Sequence, residues 1–156
     1  MLSAVELEKR IITGDKDLTI LEDISFQLPK GESLAIIGES GSGKTTLLGL
    51  LAGLDTPTSG RVEINGLSIF DLSEEERALS RQQSLGFIFQ SFQLIAGLSA
   101  LENVMLPLEL KGSRAAGDQA GEFLERVGLS DRKDHYPRQL SGGEQQRVAL
   151  ARALVR

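Results

Sequence analysis

Eight residues, GESGSGKT from Gly38 to Thr45, follow the order G-x-x-x-x-G-K-[ST], and that order suits one task, the holding of phosphate. Gly38, Gly41 and Gly43 let the backbone curl without side-chain clashes, so that consecutive N–H groups point inward at phosphate oxygens. The positive end of a following helix reinforces them. Lys44 can then reach between the β- and γ-phosphates, and the Thr45 hydroxyl can ligate Mg2+. Such a loop leaves open whether the chain is a kinase, a GTPase, a helicase or a transport ATPase.

A second stretch narrows the choice. LSGGEQQRVALARAL, Leu140 to Leu154, places two adjacent glycines at a predicted helix start. Each lowers helix stability by up to roughly 1 kcal/mol relative to alanine, and a helix that only packs has no use for that. The pair makes sense if the backbone there must approach an anion closely. The Ser141 hydroxyl, the bare amides of Gly142 and Gly143 and the helix dipole would together form a second phosphate site.

The elements that must carry these loops are readable in outline. Val5 to Leu7 and Leu18 to Leu28 have strand-like alternation, and the apolar run Ser33 to Ile37 reads as a buried strand leading into the glycine loop. TTLLGLLAGL then reads as a core helix. Asn65-Gly66, between β-compatible segments, predicts a hairpin because both residues tolerate positive φ. Three S-x-x-E boxes, Ser73 with Glu76, Ser99 with Glu102 and Ser141 with Glu144, predict helix starts. GFIFQSFQLI, Gly86 to Ile95, reads as a strand and then a loop, and a helix is expected from about Arg114 to Val127, stopped by Gly128. The layout is a β-rich half followed by a helical half.

Composition bounds the function. The 156 residues suit one domain with its own core. Seventeen Lys and Arg against 22 Asp and Glu give a net charge of −5, with both signs interspersed. Nucleic acid is therefore not expected as a partner, since phosphate backbones call for a concentrated positive field. The chain has no cysteine, so disulfides and thiolate metal sites are excluded and a reducing compartment is compatible. The longest apolar run, Leu47 to Leu54, is far short of the ~20 residues that cross a bilayer. The start MLSAVELEKR lacks a basic and an apolar region, so no secretory signal is expected.

With these residues in view, the chain resembles the ATP-binding cassette (ABC) ATPase family, whose signature is LSGGQ, here with Glu144 in the last position. GESGSGKTTLL is similar to its Walker A loop, FIFQSF with Gln90 to its Q-loop, and LSGGEQQRVALARAL to its signature helix. GLDTPTSGRVEING, LGFIFQSFQL and ALENVMLPL resemble, more narrowly, bacterial cassettes of lipoprotein release and macrolide export. The resemblance implies an α/β P-loop NTPase of the ABC ATPase fold. A single domain is expected, its β-rich nucleotide-binding part at 1–89 and its Q-loop, helical subdomain and signature helix at 90–156.

It further implies two cassettes facing head to tail, with a homodimer as the default. ATP would be held by the loop from Gly38 to Thr46 of one, Ser40, Ser42 and Thr46 included, and capped at its γ-phosphate by Ser141 and Gly143 of the other, within the stretch that holds Gly142 and Glu144. Lys44 and Gln90 are the catalytic residues it implies, and Thr45 and Gln90 the Mg2+ contacts. A membrane permease would dock near Phe92, Leu94, Ile95 and Leu98, which puts the protein on the cytoplasmic face of the cell membrane.

Two departures stand out. Where the family often stacks adenine on an aromatic ring, RIITGDKD offers Ile11 or Ile12, so weaker selection of adenine over guanine is expected. Family members also continue past the signature helix into a Walker B strand, a catalytic glutamate, a D-loop and a switch histidine. The sequence stops at Arg156, and the expectation is an incomplete cassette that turns ATP over poorly. His135 precedes the signature and is expected as a solvated loop residue. A DNA-repair ABC protein would need a long coiled coil between the motifs, and the insert here lacks sustained heptads. The translation type usually carries two cassettes, and a P-loop kinase or GTPase does not fit LSGGE.

Overall fold

The structure is a computed structural model that describes residues 1–14 and 16–155. Asp15, inside the segment expected to face adenine, and Arg156 lie outside them. Two compact units divide the chain, Met1–Leu85 and Gly86–Arg156.

The first unit is a sheet with helices. β1 (Leu2–Thr13) and β2 (Lys16–Leu28) form a long hairpin, and β3 (Ser59–Ile64) with the short β4 (Leu67–Ser68) completes a sheet of order β2-β1-β3-β4. All three pairings are antiparallel. Strand alternation would bury Ala4 and then Glu6. A bulge, with Glu6 at φ 49°, shifts the phase by one residue so that Leu7 is buried instead. Gly60 lets β3 pass that bulge, since a Cβ there would stand 2.3 Å from the Glu6 carbonyl oxygen. Pairing of β1 with β3 ends at Glu8, whereas pairing with β2 runs on to the Thr13–Lys16 pair. Beyond Glu8 the hairpin has no third strand among the described residues; Lys9 still donates to Asp55 and Thr56 and the Arg10 N–H to the Thr58 hydroxyl, and past Arg10 it overhangs as two strands.

As predicted, Asn65-Gly66 turns β3 into β4 with positive φ at both residues. α1 (Lys44–Leu51) buries Leu47, Leu50 and Leu51 against Ala4, Leu7, Leu21, Val62 and Ile64 of the sheet. α2 (Glu74–Ser84) starts at the Ser73 capping box, closed in both directions by Glu76.

The apolar run Ser33 to Ile37 corrects the sequence reading: it is not a strand, and Ile37 is 92% exposed. Gly86 to Phe89 is likewise irregular, with Ile88 half-exposed. The physical reason is the same for both. A buried strand is made by its neighbours' hydrogen bonds, and no described residue pairs with either run.

The second unit is helical. α3 (Ala100–Leu110) and α5 (Gly142–Leu154) start at the Ser99–Glu102 and Ser141–Glu144 boxes as expected. α4 (Ala116–Arg126) ends before Gly128, which takes φ 70°. Ala100, Val104 and Leu108 of α3, Ala120 and Leu124 of α4, and Val148, Ala151 and Val155 on α5 and just beyond it form one core. Short 3-10 turns at Ser130–Arg132 and Pro137–Gln139 lead into α5.

Candidate functional site

In the first unit, the glycine loop runs directly into α1. Gly41 and Gly43 sit in the left-handed region, at φ 85° and 84°, where glycine alone adds no Cβ strain. Gly38 is constrained differently, because a Cβ there would stand 2.7 Å from the Ser42 hydroxyl. Gly43 also passes close to β2, where a Cβ would meet the Ile20 carbonyl oxygen at 3.0 Å. Lys44 bends back over the loop and donates to the carbonyls of Gly38 at 2.9 Å and Glu39 at 2.5 Å. The cation is thereby held inside the curl.

No side chain caps the first turn of α1, whose N-cap is Gly43. Its early N–H groups have no intrahelical partner by construction. The donor set of exposed Ser40, Ser42 and Thr45, half-buried Lys44 and Thr46, and these amides is that of an anion cradle, and it fits a polyphosphate. Ile11, 42% exposed, pairs across the hairpin with Leu18, two residues from the Ile20 carbonyl that Gly43 approaches. Ile12 is 80% exposed on the same overhang.

In the second unit, the start of α5 is arranged differently. Glu144 accepts from the Ser141 backbone N–H at 2.8 Å and from the Ser141 hydroxyl at 2.8 Å, while its own N–H is directed to that hydroxyl. The Arg132 guanidinium adds a further contact at 3.0 Å. These bonds, the Ser141 backbone N–H foremost, hold the Glu144 carboxyl down at about 2. Gly142 and Gly143 are exposed, have no positive φ, and would meet no close contact with an added Cβ. Nothing within the described residues calls for glycine there.

Gln90 is exposed in a turn that precedes Phe92 and Gln93. These last two are both left-handed, at φ 59° and 44°. Arg152 of α5 donates to both of their carbonyls, at 2.9 Å to Phe92 and 2.8 Å to Gln93. Further along, fully buried Asn103 accepts from the Ile95 N–H at 2.8 Å and donates to the carbonyls of Ile95, Leu98 and Ser99. Of the apolar stretch, Ile95 is exposed, whereas Phe92, Leu94 and Leu98 are half-buried. His135 is half-buried, and its carbonyl accepts from the Ala100 N–H, so it serves α3 as well as its loop.

Sequence reasoning missed Asn103 and Arg152. A polar residue on the apolar face of Ala100, Val104 and Leu108 was the available signal for Asn103. Arg152 offered less, because a cation in a last helical turn reads as complement to the dipole.

A family profile described as ABC transporter matches residues 21–156, so the chain belongs to the ABC transporter family. The uncharacterized ABC transporter ATP-binding protein YbbA of Escherichia coli (strain K12) is 51% identical over 149 residues, which are 94% of this chain and 65% of that protein. The lipoprotein-releasing system ATP-binding protein LolD 1 of Rhodopirellula baltica is 48% identical over 157 residues, 99% of this chain and 69% of that one. Among solved structures, the ATP-binding cassette MJ0796, in a dimeric post-hydrolysis state bound to ADP and Pi, superposes with a TM-score of 0.91 at 40% identity, over 99% of this chain and 69% of that one. The chain thus spans about two thirds of the length of these relatives.

Proposed function

We propose that this chain is the nucleotide-holding portion of a subunit that couples ATP binding and hydrolysis to a membrane permease. The observation that carries the proposal is the loop from Gly38 to Thr46: left-handed glycines and an inward lysine on a helix start that no side chain caps. In this reading Lys44 neutralises the β- and γ-phosphates, Ser40 and Ser42 line the curl, and Ile11 offers an apolar contact to the base. Mg2+, held by the Thr45 hydroxyl, would supply charge neutralisation at the phosphates, and Gln90 is the further contact that the family resemblance implies for it. Ser141, Gly142, Gly143 and Glu144 would meet the γ-phosphate of a second protomer arranged head to tail. The open space at both glycines supports this, as does the dimer of the similar MJ0796 cassette.

A permease would dock beside Ile95, placing the protein on the cytoplasmic face of a membrane, and nucleic acid would not be a partner. For the 156 residues taken alone we propose nucleotide binding without measurable turnover.

The test is Mg2+-dependent phosphate release from ATP by the full-length protein, with Lys44→Ala as control. Release that disappears in the variant supports the proposal; equal release by both overturns it. Nucleotide bound by the 156-residue chain with no release above the variant supports the reading of that piece, and clear turnover overturns it.

A further inference from the structure

We infer that Arg152 is a positioning residue that locks the loop after Gln90 onto the last turn of the signature helix, so that Gln90 and Ser141 report on one rigid helix. The inference rests on the nucleotide reading above for the roles of Gln90 and Ser141. The clamp itself stands on geometry.

Two consecutive non-glycine residues, Phe92 and Gln93, hold left-handed backbone. Residues such as phenylalanine adopt it rarely, and it persists where the surroundings over-determine it. Their carbonyls are the acceptors of the two ends of the Arg152 guanidinium, at 2.9 and 2.8 Å. A planar fork matches two neighbouring carbonyls as a lysine ammonium does not. No described carboxylate lies within ion-pair distance of Arg152, so its charge-assisted bonds go to the loop. Its partial burial disfavours the charge and lowers its pKa, which argues that the position is held for these two contacts.

Downstream, Asn103 fixes Ile95 to Ser99 from α3. Between these anchors the loop has little freedom, and Gln90 stands two residues before the first. Arg152 lies in the last turn of α5, whose N-cap is Ser141. A change in the orientation of α5 that accompanies phosphate binding at Ser141 would be carried to Gln90 through two hydrogen bonds.

The experiment uses the full-length protein with Arg152→Lys and Arg152→Ala. It reads kcat and KM for ATP together with hydrogen exchange of the amides at 91–95. In Arg152→Ala, kcat is expected to fall by about tenfold or more, because a displacement of ~1 Å at a positioning group costs up to about 100-fold. KM is expected to stay within about twofold, since the glycine loop is untouched. Exchange should rise at 91–95 and stay unchanged in α4. Arg152→Lys should recover only part of kcat, and it serves as the readout if the alanine variant does not fold. Unchanged exchange at 91–95, or a kcat equal to wild type, overturns the inference. A uniform rise in exchange across α3, α4 and α5 with kcat retained also overturns it, by assigning Arg152 to packing alone. A wild type that neither turns ATP over nor responds to Lys44→Ala is the separate failure of the nucleotide reading, and the exchange measurement still decides the clamp.

Discussion

The starts of α1 and α5 are both glycine-bearing helix N-termini, yet they are built on opposite terms. At α1 the glycines are dictated by the chain itself: Gly41 and Gly43 are left-handed, and Gly43 also runs tight against the Ile20 carbonyl, while a Cβ at Gly38 would displace the Ser42 hydroxyl. No side chain caps that helix. At α5 the cap is closed in both directions by Ser141 and Glu144, and Gly142 and Gly143 have room for a Cβ. One loop needs glycine in order to exist. The other shows no internal need of it. The same residue type thus marks a self-shaped cradle in one place and a cleared surface in the other, and only the surrounding contacts tell them apart.

The largest expected effect tests the first half of that contrast. Gly43→Ala forces a left-handed alanine, which costs about 1–2 kcal/mol, and crowds the Ile20 carbonyl. Calorimetry of the full-length protein should show Tm lower by about 2–8 °C, with nucleotide affinity reduced in a titration. An unchanged affinity would break the cradle reading. Gly142→Ala should do the reverse for stability. Alanine in the first turn adds up to about 1 kcal/mol, raising Tm by about 2–4 °C, while the ATP-dependent dimer seen by sedimentation weakens. If the dimer is unaffected, the cleared surface has another use.

The smallest effect concerns pH. The Glu144 carboxyl is held down from 4.5 to about 2 by its cap bonds, chiefly the Ser141 N–H. A lowered carboxylate contributes stability that is fully present above its unfolded value and lost as pH falls through the folded one. The stability gap between wild type and Glu144→Gln should therefore close between pH 4.5 and about 2. Glu76 and Glu102, also lowered by their caps, titrate alike in both proteins and cancel in the difference. A gap that is flat with pH would separate Glu144 from its cap.

How much of this was legible in the sequence follows from the range of each interaction. The Ser73, Ser99 and Ser141 boxes and the Asn65-Gly66 turn close within a few residues, so the sequence carries the whole of their physics. The left-handed glycines before α1 and the capped start of α5 were legible for the same reason. Ser33 to Ile37 and Gly86 to Phe89 were misread because apolar β-compatible composition is necessary for a buried strand but pairing is non-local. The Arg152 clamp spans about sixty residues of sequence and depends on the left-handed turn at Phe92 and Gln93, which no local pattern announces.

The overhang of the β1–β2 hairpin has a consequence for the base of a bound nucleotide. Past Arg10, whose backbone N–H still donates to the Thr58 hydroxyl, the two strands pair only with each other, and an isolated two-stranded ribbon is marginal in water. Amide protection should therefore decline along β1 beyond Arg10, and Ile11 would touch the base as the end of a compliant arm rather than as a fixed wall. A compliant contact accommodates purines of different outline. Tolerance toward the base would then originate in sheet topology as much as in the replacement of an aromatic ring by isoleucine.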